Sequence, residues 1–197
     1  VSEKDIHDLN DDLVETNRIL RSVMLRRRKE EIADLPPKET TLVPIDLTSM
    51  SEESQEAFLS LAGELTEANE TSFARFYSLL SLEGQAKYPW LIEKVNEIVA
   101  DGRKVVIFTP FVSGKDRHTA SISTQAIATR LYNEGISSVG TFDGSLTEEQ
   151  RQAVQQDFHS KDGIKVLVGN YMTAGESITL NSPENRATEV ILFIAPN

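Results

Sequence analysis

Apolar positions fall into two regimes along this chain. In the first, Ile6, Leu9, Leu13, Ile19, Leu20, Val23 and Met24 recur mostly three and four residues apart, the spacing of a single stripe on one helix or a pair of helices. The stripe breaks at "DLPPKE", where two prolines remove backbone donors and push the preceding residue into extended geometry. "TTLVPIDLT" then reads as a strand from its β-branched content, with Pro44 confining it to an edge or a first position. "SEESQEAFLSLAGELTEA" opens with serine and glutamates suited to a helix N-terminus and carries Phe58, Leu61 and Leu65 as its stripe, and a further helical piece, "TSFARFYSLLSL", follows.

Beyond Tyr88 the pattern becomes an alternation of helical stripes with short continuous apolar runs. The helix "PWLIEKVNEIVADG", with Pro89 in its first turn and Gly102 at its end, leads to "KVVIFTP". "STQAIATRLYNEG" leads to "SSVGTFDG", "TEEQRQAVQQDFHSKDG" to "KVLVGN", and a short helix near "TAGESITL" to "EVILFIAP". Fully apolar strands separated by helices of this length specify an α/β fold with a mainly parallel sheet covered on both faces. Ligands of such sheets gather outside the carboxyl ends of the strands. That rule singles out Thr109, Asp143 to Ser145, Asn170 to Glu176, and Pro196.

Composition narrows the function classes. The 197 residues contain no cysteine and three scattered histidines, which excludes disulfides and thiolate metal sites and disfavours a histidine site. No apolar run approaches the roughly 20 residues of a membrane span, and the opening "VSEKDIHDLNDD" is unlike a signal peptide. An intracellular protein without a membrane partner is expected. The formal net charge of −11 opposes binding to nucleic acid through bulk charge, yet six cations crowd between Arg18 and Lys29. A local basic stripe of that kind meets phosphates when the acids face elsewhere.

The crowded stretch, "LRRRKEEIADLPPKE", resembles the "LRRxK…LPPK" signature at the junction between the lobes of Swi/Snf-type ATPases, the double-stranded-DNA translocases of helicase superfamily II. Arg28 stands where that pattern usually has threonine. In the family's order, "AKYPWLIEKVNEIVADGRKVVIFTPF" resembles the start of the second RecA-like lobe with "IFTPF" as motif IV. "TFDGSLTEEQRQAVQQDF" is similar to its "DGS…ER…F" segment, "KVLVGNYMTAGESITLN" to motif V, and "EVILFIAPN" to the strand leading to motif VI. Ser177 occupies a motif V position where the family favours glycine.

The resemblance implies a RecA-like three-layer sandwich preceded by a helical extension. Residues 1–48 would be junction helices and a strand, residues 49–87 a helical insertion, and residues 88–197 an incomplete second lobe (helicase C-terminal domain) ending before motif VI. It implies contacts to the DNA backbone by Thr109, Gly144, Ser145, Thr173 and Ala174, joined by Arg26, Arg27 and Lys29 at the junction. Gly175 and Glu176 would border the ATP cleft. The implied partners are double-stranded DNA, the first RecA-like lobe of the same protein and a protein substrate on DNA; the setting would be cytoplasm or nucleoid in a prokaryote and the nucleus in a eukaryote. ATP and Mg2+ would serve the parent protein. The chain has no "GxxxxGK[ST]" loop, no Walker-B-like strand and no motif VI arginines. Phosphoryl transfer needs all of these, so this chain alone is expected to bind neither cofactor and to hydrolyse nothing.

Competing readings attach to the same residues. The chain as a whole also fits a non-catalytic RecA-like module that grips a protein or nucleic acid, and, more distantly, an RNA helicase. A basic run is often a solvated face, and "DGS" alone is a plain turn. Arg151 suits a structural salt bridge, across the helix or to Asp143, as well as a functional role. Lys38 would extend the basic stripe, and Lys115 and Arg117 would add a DNA contact. His118 is expected to be exposed, and Trp90 and Phe111 to belong to the core.

Overall fold

A computed structural model describes residues 39–67, 73–112, 119–174 and 188–194. The contacts divide the chain between Val43 and Pro44, and the larger unit, Pro44–Asn197, carries the sheet. The expected N-terminal helices lie outside the described residues.

The expected strand over 40–48 is absent. Residues 39–46 have no regular structure, Leu42 is 92% exposed, and a single 3-10 turn follows at Leu47–Ser49. Asp46 initiates that turn by accepting the Thr48 amide at 2.9 Å. Pro44 has no N–H to offer a neighbouring strand, and β-branched content alone does not make a ladder. The helix α1, Glu52–Glu67, forms where its pattern indicates, with the Ser51 hydroxyl accepting the Ser54 amide.

Pro89 does not begin a helix. One continuous helix, α2, runs from Phe73 to Ala100 with Pro89 inside it, and the expected division at residue 88 falls within this element. An interior proline removes the donor that would serve the carbonyl four residues earlier. Here Pro89 and Gln85 both lie on the exposed side of the helix. The opposite side buries Leu91, Val95 and Ile98 in the main core, with Leu80 and Tyr88 packed against it. That burial outweighs the local cost of the proline. The helix ends before Gly102, whose φ of 73° only glycine adopts without strain.

Four strands form one sheet: β1 Lys104–Thr109, β2 Val139–Phe142, β3 Val166–Asn170 and β4 Thr188–Leu192, in the order β2-β3-β1-β4. All three pairings are parallel, with Val105 opposite both Val166 and Glu189, and Val139 also opposite Val166. Between them lie α3, Thr124–Asn133, which Ser123 caps, and α4, Glu148–His159, which opens on a capping box of Thr147 and Gln150. A short α5, Tyr171–Ala174, follows β3 directly.

The period-two alternation of the strands sorts the two faces. Val105, Ile107, Val166 and Val168 pack with Leu91, Val95 and Ile98 of α2 and Ile127 and Leu131 of α3. Val106 and Leu167 point the other way, onto Phe158 of α4, together with Phe142 and the partly buried Val154. The result is a three-layer α/β sandwich of RecA-like type. Trp90 and Phe111 pack against the main core as expected. On the α4 side, β4 leaves Val190 and Leu192 57% and 53% exposed. Among the described residues, no helix is long and apolar enough to cross a membrane.

The amino end of the sheet holds one buried cation. Lys104 donates to the carbonyl oxygens of Phe158 and Ser160, which end α4, and lies 5.0 Å from the centre of the Phe158 ring. Burial, reinforced by the nearby charge of Lys165, holds its pKa below the ordinary lysine value. Lys104→Met removes the donor from two carbonyls in this layer and is expected to cost about 1–3 kcal/mol. Urea denaturation at neutral pH measures the loss.

Candidate functional site

Polar side chains are buried mainly at one end of the molecule. Among the described residues, Thr109, Thr119, Ser123, Thr124, Asp143 and Asn170 lie at or next to the carboxyl ends of the strands, and Lys104 alone is at the amino end. Buried polar groups persist where they have partners, and here they partner one another's elements. The Thr109 hydroxyl donates to the Ile122 carbonyl at 2.7 Å, tying the end of β1 to the turn before α3. Asn170 at the end of β3 donates its amide to the Pro110 carbonyl at 2.7 Å and accepts from the Met172 amide at 2.9 Å, which starts α5.

Asp143 is the centre of the rim. Its Oδ1 accepts from the Ser145 amide at 2.9 Å and the Ser145 hydroxyl at 2.6 Å, closing the turn that contains Gly144. Its Oδ2 lies 2.8 Å from the Thr124 hydroxyl, which also reaches the Val112 carbonyl at 2.5 Å. Asp143 is 6% exposed. Burial alone would raise its pKa, but the bonds from Ser145 and Thr124, with the charge of Arg151, hold it below the ordinary carboxylate value.

The structure brings two of the sequence-selected residues face to face. A Cβ placed on Gly144 would lie 3.7 Å from the Thr173 hydroxyl oxygen, so the turn after β2 and the helix after β3 share one surface. Ser145 is on this surface and exposed, with its proton directed at Asp143. Ala174 is the last residue of α5. Thr109 corrects the expectation: it is 0% exposed and its hydroxyl is engaged by Ile122, so it supports the rim and does not present a donor to a ligand. Arg26, Arg27, Lys29, Gly175 and Glu176 lie outside the described residues, as do Lys38, Lys115, Arg117, His118, Ser177 and Pro196.

Two polar atoms here lack hydrogen-bond partners: one belongs to Arg151, which the sequence left open between structure and function, and the other to Tyr171, to which the sequence assigned no role. Among the described residues, Arg151 Nε and the Tyr171 hydroxyl are the buried side-chain polar atoms without a hydrogen-bond partner. Burial pushes the Tyr171 phenol up to about 12, so it remains a protonated donor. The sequence signal for Arg151 was its spacing: it precedes Val154 by three and Phe158 by seven, on the stripe that α4 turns to the sheet.

Chemically the rim offers the Thr173 hydroxyl, the guanidinium of Arg151 and a glycine turn that lets a ligand approach the backbone. This donor set suits phosphate oxygens. Asp143, its central carboxylate, has both oxygens engaged by Ser145 and Thr124. Neither a family profile nor a curated protein matches the chain, so the likeness to DNA translocases rests on its motifs.

Proposed function

We propose that this chain is the second RecA-like lobe of an ATP-driven DNA translocase of the Swi/Snf type, gripping the phosphate backbone of one DNA strand at the carboxyl rim. The observation that carries the reading is the meeting of Gly144 and Thr173. They come from two segments, "DGS" and "MTAG", which the family resemblance independently assigns to one phosphate-facing surface. The all-parallel sheet and the buried polar ties behind that surface support it, because a grip that moves a polymer must hold its geometry under load.

In this reading the lobe supplies position and not chemistry. Hydroxyls and backbone amides fix a phosphate without reading sequence. The parent protein's first lobe holds ATP and Mg2+, and closure of the two lobes shifts the grip along the duplex. Arg26, Arg27 and Lys29 add cations at the junction, where Arg's forked donors suit phosphates.

The test is binding of this chain to a duplex across a salt series. Affinity is expected to fall steeply with salt, and Arg26→Ala combined with Arg27→Ala is expected to make the log–log slope shallower by about two. Binding indifferent to both changes would sink the phosphate grip. The engaged hydroxyls of Thr109 and Ser145 favour the runner-up, a RecA-like module that binds a partner without hydrolysis. DNA-stimulated ATPase in the parent protein supports the motor; duplex binding with no ATPase supports the module.

A further inference from the structure

Arg151 is a charged residue on the buried stripe of a helix. It lies one turn before Val154 on α4, and helical side chains lean towards the helix N-terminus, which here is the carboxyl rim of the sheet. Its Nε is buried without a hydrogen-bond partner, and it forms no ion pair with any described residue. Lys87, Lys94, Arg103 and Arg130, by contrast, each have a carboxylate partner. A donor withdrawn from water without an acceptor is costly. The charge of Asp143 attracts Arg151, but its oxygens are held by Ser145 and Thr124 and accept no hydrogen bond from the guanidinium. The second unpartnered donor, the Tyr171 hydroxyl, is on the same side of the sheet: the Tyr171 ring lies 6.1 Å from that of Phe108, which packs into the cluster containing Phe158. Two donors lacking acceptors at the carboxyl end of this side of the sheet call for a ligand made of acceptors.

We propose that Arg151 is the charged ligand of the phosphate held over the Gly144–Ser145 turn and Thr173, binding through its guanidinium fork. The inference deepens the phosphate-grip reading and rests on it for the source of the phosphate, a DNA backbone. A phosphodiester supplies acceptor oxygens for both donors, and its negative charge suits the guanidinium.

The experiment compares the wild-type chain, Arg151→Gln and Arg151→Lys in two arms. In the first, fluorescently labelled duplex DNA is titrated over a salt series: R151Q is expected to bind about tenfold more weakly, with a log–log salt slope lower by about one, on every sequence tried. R151K is expected to restore the slope but not the full affinity, since an ammonium lacks the fork. In the second, the melting temperature is read in inorganic phosphate against chloride at matched ionic strength: phosphate is expected to raise it for wild type and not for R151Q. A loss in either arm confined to the variant supports the proposal. R151Q matching wild type in both arms overturns it, and should R151Q fail to fold, R151K matching wild type in both arms does the same. Should wild type ignore DNA yet gain from phosphate only through Arg151, the DNA reading fails and the anion site stands, with a free phosphate as its ligand.

Discussion

Replacing Phe158 by alanine is expected to remove about 3–5 kcal/mol of stability, the largest single loss in this fold. The two faces of the sheet are unequally covered: α2 and α3 pack on one, while among the described residues the buried cluster on the other consists of Val106, Phe142, Phe158 and Leu167. Phe158 is the ring that α4 contributes to that cluster, and it is fully buried. Truncation opens a cavity that the three strand residues cannot close, because the sheet fixes their backbones. It also takes the ring from beneath the Lys104 ammonium. Domains of this size are stable by about 5–15 kcal/mol, so the variant forfeits a large share of the total. Urea unfolding measures this as a lower midpoint at unchanged slope, and Phe158→Leu, which keeps most of the volume, should recover most of the difference.

That cluster was legible in the sequence, and so was most of the fold. The runs "KVVIFT" and "KVLVG" are apolar on both faces, as a covered parallel strand requires. Thr147 and Gln150 announce the start of α4 three residues apart. The failures have local causes. Pro89 signalled a helix start because proline is favoured there, but its carbonyl partner at Gln85 faces water and the stripe continues beneath it. The residues around Pro44 have strand-like side chains and no neighbouring strand to pair with. At the site, the carboxyl-end rule selected stretches that lie along one rim, yet the facing of Gly144 and Thr173 depends on β2 lying beside β3, a tertiary fact. Whether the Thr109 hydroxyl points to a ligand or to Ile122 depends on a turn thirteen residues away, which no local pattern encodes.

Asp143→Ala is expected to be the next largest change, costing about 2–3 kcal/mol and loosening the turn that presents Gly144 and Ser145. The carboxylate accepts both Ser145 donors and meets the Thr124 hydroxyl, so its removal frees the end of β2 from α3. The sign of the pH effect follows from the direction of its shift. The folded carboxyl holds its proton less tightly than the unfolded one, whose ordinary value is 3.8. Its contribution is therefore present above that value and is lost as pH falls through the lower folded one. Urea unfolding of the wild type and Asp143→Asn at pH 7 and at successively lower pH checks this: the gap between them should narrow as the wild-type carboxylate takes up its proton. A gap constant with pH would mean that Asp143 contributes through shape and not through charge.

The order of strands has a consequence for how the chain comes into being. β1 is the first strand of this sheet to be synthesised, yet it is central, flanked by β3 and β4, with Val105 waiting for Val166 on one side and Glu189 on the other. On a ribosome delivering the chain from its N-terminus, the segment "KVVIFT" emerges well before either neighbour exists. Neither hairpin nor nearby strand can shelter it, since every pairing in the sheet is parallel and spans an intervening helix. Until Leu192 has left the exit tunnel, this apolar strand remains a sticky, half-made surface, and the nascent chain depends on α2 and α3 or on a chaperone to keep it from the wrong company.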